Sequence, residues 1–389
     1  MPKLADLNSC TGCTACAQSC PKGCITMAAD SEGFLQPRVD EAVCVGCGLC
    51  ERSCPVLNPP AVSTEFPRAL AARSRDETVR FASSSGGVFS EVAQAVLAQG
   101  GAVYGAAYDE NFTVRHICVE TVAELAALRG AKYAQSELNG TFCRIKEQLE
   151  QGKQVLFSGT PCQVAGLKAF LRRNYENLIC MDFVCHSVPS PEVWQAYVRY
   201  RSEQDNGGML PEKIDLRSKH TGWSRYRYSN LFTYENGHTH SASGGESLYM
   251  KLFGGGYISR RSCESCPFKG YSRVSDLTVG DFWGIWDIAP EMDDDRGTSV
   301  VLVQSARGEA LLKTLDERLE IMPVTLEQAS SQNPAMIRPF PANARRTEAL
   351  SAACRGEFDG FRDWFVAPKP TLMQKTGALL RAVVRKLRS

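Results

Sequence analysis

After residue 67 the spacing of apolar and polar positions switches repeatedly between helical and extended periods. It predicts helices over 88–98, 138–150 and 163–172 and strands over 102–108, 154–157 and 178–184. Alternation of this kind argues for an α/β layer structure. From 212 to 245 the pattern changes to a β-hairpin insertion, with strands over 228–234 and 238–241 joined by Asn236-Gly237, a two-residue turn signal. Strands near 277–281 and 299–304 and a helix near 309–319 follow. The stretch 330–370 is rich in Pro, Arg and Phe and shows little periodicity. At the end, 372–387 sets Leu372, Leu379, Leu380, Val383, Val384 and Leu387 on one face and Lys375, Arg381, Arg385 and Lys386 on the other. Such a basic amphipathic helix either docks on a partner or on its own domain, or lies peripherally against the inner face of a membrane.

The front of the chain follows another logic. Residues 56–67 carry three prolines and read as a linker, and nine of the 17 cysteines fall within the first 54 positions. The runs Cys10-Thr11-Gly12-Cys13-Thr14-Ala15-Cys16-Ala17-Gln18-Ser19-Cys20-Pro21 and Cys44-Val45-Gly46-Cys47-Gly48-Leu49-Cys50-Glu51-Arg52-Ser53-Cys54-Pro55 are copies at an offset of 34. Each reads C-x2-C-x2-C-x3-C-P, and the pair resembles the bacterial-type two-cluster 4Fe-4S ferredoxin. Three thiolates two residues apart wrap one cubane in a tight loop, which Gly12, Gly46 and Gly48 permit. The resemblance implies that the fourth cysteine of each run serves the other cluster. One cluster then takes Cys10, Cys13, Cys16 and Cys54, the other Cys44, Cys47, Cys50 and Cys20. A zinc site or a disulfide knot is the alternative, though zinc ribbons use paired C-x2-C rather than triple runs. Cys24 fits neither quartet and reads as a small apolar residue beside Ile25.

Charge adds little: 44 Lys and Arg against 43 Asp and Glu leave +1 over 389 residues, so no field gathers nucleic acid. The first residues lack a leader's apolar stretch, and no run reaches the ~18 apolar residues of a membrane span. The expectation is a cytoplasmic protein, in a reducing compartment where clustered cysteines bind metal or carry redox chemistry.

Four later segments point to a phosphate-bearing cofactor and a further metal site. Ser84-Ser85-Gly86-Gly87 opens into the helix at Val88, offering amides and hydroxyls to a phosphate. Neither a G-x-G-x-x-G nor a P-loop motif is present. Cys162 and Cys185 follow predicted strands, at the sheet edge where α/β proteins assemble sites, and Cys263 and Cys266 form another C-x2-C. These four are candidates for a third cubane; a zinc site, or a redox pair with two unrelated buried thiols, uses the same residues. Cys118, Cys143, Cys180 and Cys354 read as core.

Taken in order, six motifs carry a family resemblance. They are Ser84-Ser85-Gly86-Gly87, Gly130-Ala131-Lys132-Tyr133-Ala134-Gln135-Ser136, Gly159-Thr160-Pro161-Cys162-Gln163, Asp182 with Cys185-His186, Cys263 with Cys266, and Asp276 with Asp281-Phe282-Trp283-Gly284. Together they resemble the coenzyme F420 hydrogenase/dehydrogenase beta-subunit family over about 68–305. The chain departs at Ser187, where the family pattern often has glycine after Cys-His. The resemblance implies an α+β ferredoxin-like dicluster module (1–60), then an α/β flavoprotein domain with a β-hairpin insertion (68–330), then an extension (331–389). It implies FAD beside the 4Fe-4S clusters. Ser84, Ser85, Gly86 and Gly87 would meet the phosphates, and Lys132, Tyr133, Gln135 and Ser136 the ring or ribitol. Lys132 would stabilise reduced flavin, and His186 would either donate a proton or support the neighbouring ligand Cys185 from behind. Partners would be a ferredoxin or another redox subunit and a small two-electron substrate. A non-catalytic electron-wiring subunit is the alternative, and a DNA-binding redox sensor finds no support in the sequence.

Overall fold

The computed structural model describes residues 2–62 and 65–365. The amphipathic helix expected at 372–387 lies outside the described residues.

The N-terminal module has one hairpin, β1 (Ile25–Ala29) and β2 (Leu35–Val39), between two single-turn helices, Ala15–Gln18 and Leu49–Arg52. The rest is built on an eight-stranded sheet. Its strands are β3 (Arg68–Ser74), β4 (Ala102–Tyr108), β5 (Val114–Val119), β6 (Val155–Gly159), β7 (Leu178–Phe183), β11 (Leu277–Asp281), β12 (Ser299–Val303) and β13 (Leu319–Val324), in the order β13-β3-β12-β11-β7-β6-β4-β5. The inner strands β4, β6, β7 and β11 run parallel, and antiparallel strands close both sides. Parallel strands are covered on both faces, so they read as continuous apolar runs. Val155, Leu156 and Phe157 of β6 and Leu178, Ile179, Cys180 and Met181 of β7 are all buried. Between β7 and β11 the chain adds helix Pro191–Asn206 and an antiparallel sheet of β8 (Lys213–Ser218), β9 (Ser229–Thr233) and β10 (Thr239–Ser243). Gly237, at φ 79°, makes the turn between the last two strands.

The parallel strands share one carboxyl edge, which carries Tyr108, Gly159, Phe183 and Asp281. Against it docks the N-terminal module. Phe34 is buried in the same core as Trp194, Tyr197, Tyr249 and Phe253, and helix Arg346–Cys354 adds Ala349, Leu350 and Ala353 to that core. Residues past 330 therefore complete the packing of the preceding domain. The β1-β2 turn is tied in as well: Arg346 Nη2 meets Glu32 Oε2 at 2.6 Å, and Ser190 Oγ donates to the Glu32 carbonyl at 2.6 Å. Among the described residues no helix is long and apolar enough to cross a membrane.

Candidate functional site

Thiols gather at three places. Cys10, Cys13, Cys16 and Cys54 line one small cavity, and Cys20, Cys44, Cys47 and Cys50 line a second. The left-handed residues Gly12 (φ 67°), Gly46 (φ 68°) and Gly48 (φ 70°) turn the loops between them. Gly12 also permits close docking, since a Cβ there would meet Gln135 Nε2 at 2.4 Å. Cys24 is buried beside Ile25 as expected, but it does more. It lines the second cavity with its Sγ 3.3 Å from that of Cys20, a contact that, ahead of burial, pushes the Cys24 thiol up to about 12.

The third gathering is Cys162, Cys185, Cys263 and Cys266, around a cavity at the carboxyl edge of the sheet. Cys162 rides on the first turn of helix Pro161–Leu171, which Thr160 and Gln163 fix with a reciprocal capping box. Burial pushes the thiols of Cys162, Cys185 and Cys263 up to about 12. Among the described residues no group of His, Cys, Asp or Glu converges tightly enough to grip a single metal ion. The quartets instead surround spaces, the arrangement a multi-iron cluster needs.

Beside the third quartet opens a cavity of about 580 Å³. Its wall includes Ser84, Ser85, Gly87, Lys132, Tyr133, Gln135, Ser136 and His186, all singled out from the sequence. Gly86 is not on this wall. Its N–H donates to Ser299 Oγ at 3.0 Å, and a Cβ would meet the Ala72 carbonyl at 2.4 Å, so this glycine lets the loop lie on the sheet. Lys132 also departs from expectation. Its Nζ donates to the carbonyls of Ala127 (2.9 Å), Arg129 (2.7 Å) and Gly130 (3.3 Å), and burial pulls it down to about 7. The ammonium closes its own loop instead of standing free as a cation for a cofactor. Gln135 reaches to the N-terminal module, its Nε2 donating to the Thr11 carbonyl at 3.2 Å. His186 packs between Phe253 and Phe340, and burial pulls its imidazole down to about 4. Near neutral pH it is uncharged, which does not favour the donor role expected of it.

Residues 9–58 match the 4Fe-4S dicluster domain. Residues 69–142 match the N-terminal part of coenzyme F420 hydrogenase/dehydrogenase, beta subunit, and 152–327 its C-terminal part, so the two cover more than half of the chain. The chain belongs to the coenzyme F420 hydrogenase/dehydrogenase beta-subunit family. It is an iron-sulfur electron-transfer protein of that oxidoreductase family. Among solved structures 14 chains match. One is from the F420-reducing [NiFe] hydrogenase complex of Methanosarcina barkeri, at 15% identity and a TM-score of 0.46 over 79% of this chain and 97% of that one. No curated protein matches.

In this member of the beta-subunit family the module and the sheet domain meet at the thiols. Arg260, 1% exposed, donates from Nε to the Cys10 carbonyl (2.7 Å), from Nη1 to Gln135 Oε1 (2.9 Å) and from Nη2 to the Leu35 carbonyl (3.0 Å). Helix Pro161–Leu171 comes so close that a Cβ on Gly166 would lie 3.0 Å from Cys13 Sγ. Thr11 lines the first thiol cavity, the third thiol cavity and the 580 Å³ cavity alike. The sequence reading missed Thr11, and also Arg217, Tyr226 and Tyr228 on the large cavity's wall. Arg217 Nη1 lies 2.8 Å from Asp281 Oδ2, and its guanidinium stands 3.9 Å over the Tyr228 ring. Only the Asp281-Phe282-Trp283-Gly284 motif signalled this side of the cavity.

Proposed function

We propose that the chain is a flavin- and iron-sulfur-dependent oxidoreductase subunit that passes electrons between a ferredoxin-type partner and a small two-electron substrate. In this reading the ferredoxin-like module at 1–60 holds one cluster on Cys10, Cys13, Cys16 and Cys54 and another on Cys20, Cys44, Cys47 and Cys50. Cys162, Cys185, Cys263 and Cys266 hold a third, and the large cavity of the 68–330 domain takes FAD. Its size suits a cofactor. Ser84, Ser85 and the Gly87 amide at the start of helix Val88–Ala98 suit a phosphate. When bound, FAD converts a two-electron transfer into single-electron ones. The residues of the chain do the rest: Arg260 and Gln135 fix the module, and the apolar wall keeps water from the reacting group. Such thiol-rich sites belong in a reducing cytoplasm.

The observation that carries this reading is the position of Thr11, one residue on the wall of two thiol quartets and of the cofactor-sized cavity. Centres separated by one side chain can exchange electrons without a carrier. The test is anaerobic purification with iron, sulfide and flavin quantified on one sample. About twelve irons and one FAD per chain are expected from three cubanes. About eight irons without flavin would reduce the chain to an electron wire.

A further inference from the structure

Resting on that reading, we propose that Arg217, Tyr228 and Trp283 form the subsite that anchors the two-electron substrate, and that this substrate is an aromatic carboxylate. The argument starts from hydrogen-bond accounting at Arg217, which is 4% exposed and lines the 580 Å³ cavity. Nη1 is used by Asp281 Oδ2 at 2.8 Å and reaches Tyr133 Oη at 3.4 Å. Nε and Nη2 are buried and have no partner, and no other arginine among the described residues leaves two donors so. A guanidinium presents Nε–H and Nη2–H side by side as a fork that matches two oxygens of one acid group. Leaving such donors buried and unmet is costly, so their retention here points to a ligand that meets them.

Charge selects the acid. Asp281 already balances the arginine, so a monoanionic carboxylate is accommodated more readily than a dianionic phosphate. The neighbouring surfaces select the body. Tyr226, Tyr228 and Trp283 line the same cavity, with the Tyr226 and Trp283 rings 4.6 Å apart and the Arg217 guanidinium 4.9 Å from the Trp283 ring. Flat, π-rich walls favour a flat, π-rich guest. The backbone here is held under strain: Arg225 (φ 52°) and Tyr226 (φ 64°) are both left-handed without being glycine. Asp295 pins this turn, its Oδ1 accepting from the amides of Trp223 (2.8 Å) and Ser224 (2.7 Å). The pinned turn places Tyr226, 48% exposed, on the wall of the cavity.

The test uses the anaerobically purified full chain and three probes in isothermal titration calorimetry: 2-naphthoate, 2-naphthamide and 2-naphthyl phosphate. Wild type should bind the carboxylate about tenfold or more tighter than the amide, the gain of a charge-assisted fork over a neutral contact. Arg217→Gln should erase that preference, Arg217→Lys should keep part of it, and Tyr228→Leu should weaken acid and amide alike. Equal binding of acid and amide by wild type, or binding of neither, overturns the proposal, and needs no variant to fold. Tighter binding of the phosphate overturns the carboxylate assignment. Flavin is quantified in every sample. Loss of flavin from Arg217→Gln with the acid preference intact would give the arginine to the cofactor and overturn the subsite. A wild type without flavin that still shows an Arg217-dependent preference would sink the flavin reading and leave the subsite standing.

Discussion

His116 holds the cavity wall through a pair of hydrogen bonds that only its neutral ring can make. Nε2 lies 3.0 Å from the Ser158 carbonyl, which only accepts, so Nε2 carries the proton. Nδ1 then accepts from Ser136 Oγ at 2.9 Å, while Ser136 Oγ accepts from Gln163 Nε2 at 2.9 Å. The chain of contacts joins the 130–136 loop to the helix that presents Cys162. Burial pulls the His116 imidazole down to about 4. Between about pH 6.5, where histidine titrates in the unfolded chain, and pH 4, the unfolded state takes up a proton that the folded state refuses. Stability therefore falls as the pH falls through that window, by about 3 kcal/mol at its acid end. His186, also pulled down by burial, adds to the slope in every variant that keeps it. Chemical denaturation of wild type and His116→Gln at several pH values checks this. The gap between them should be widest at pH 7 and close towards pH 4; a constant offset would contradict it.

At the scale of elements, three regular segments match the bounds that periodicity gave: Val88–Ala98, Ala102–Tyr108 and Leu277–Asp281. Each carries its burial pattern within a few residues, which is what a sequence can display. The strand β3 was invisible because Arg68–Ser74 has three alanines and a single larger apolar residue, Leu70, among its seven, and its place between β12 and β13 comes from long-range pairing. The helix read over 309–319 stops at Lys313, because Leu319 is needed as the first residue of β13. The two N-terminal cysteine runs were legible through their spacing, and their crosswise quartets only through the ferredoxin resemblance, whereas Arg217 was not legible at all. It sits on β8 without a motif, and only the fold brings it to Asp281. The clamp of module on domain is equally non-local, since Arg260 answers a carbonyl at position 10. Arg260→Met would leave three acceptors unmet, that of Gln135 buried and the carbonyls of Cys10 and Leu35 half-buried, and should cost about 2–4 kcal/mol. It should also loosen the module on the sheet domain, seen as faster release of the N-terminal module in limited proteolysis. Unchanged cleavage would mean that Phe34 and Glu32 suffice to hold it.

On the scale of the whole molecule, the two N-terminal quartets are not equivalent. That of Cys10, Cys13, Cys16 and Cys54 is turned inward, against Gly166, Gln135 and Arg260. The other is turned outward: Cys47 is exposed, and Val43 (44%) and Val45 (61%) show apolar surface beside it. With a net charge of only +1, the molecule has no long-range field to steer a partner, so docking depends on such local contacts. On the proposed reading the outward quartet would be the port for a redox partner, while the cavity of the third quartet shares Thr11 with both the inward one and the large cavity. Two substitutions separate these roles. Val45→Asp places an unpaired charge in the apolar contact and should slow reduction by a reduced ferredoxin about tenfold, with iron content unchanged. The pair Cys263→Ser and Cys266→Ser should leave that first reduction intact and block onward transfer to the cavity, while lowering the iron content by about four atoms per chain. Stopped-flow absorbance in the iron-sulfur and flavin bands distinguishes the two steps. If Val45→Asp accepts electrons at the wild-type rate, the port lies elsewhere on the module. If the cysteine pair still feeds the cavity, electrons reach it from the inward quartet directly, past Thr11.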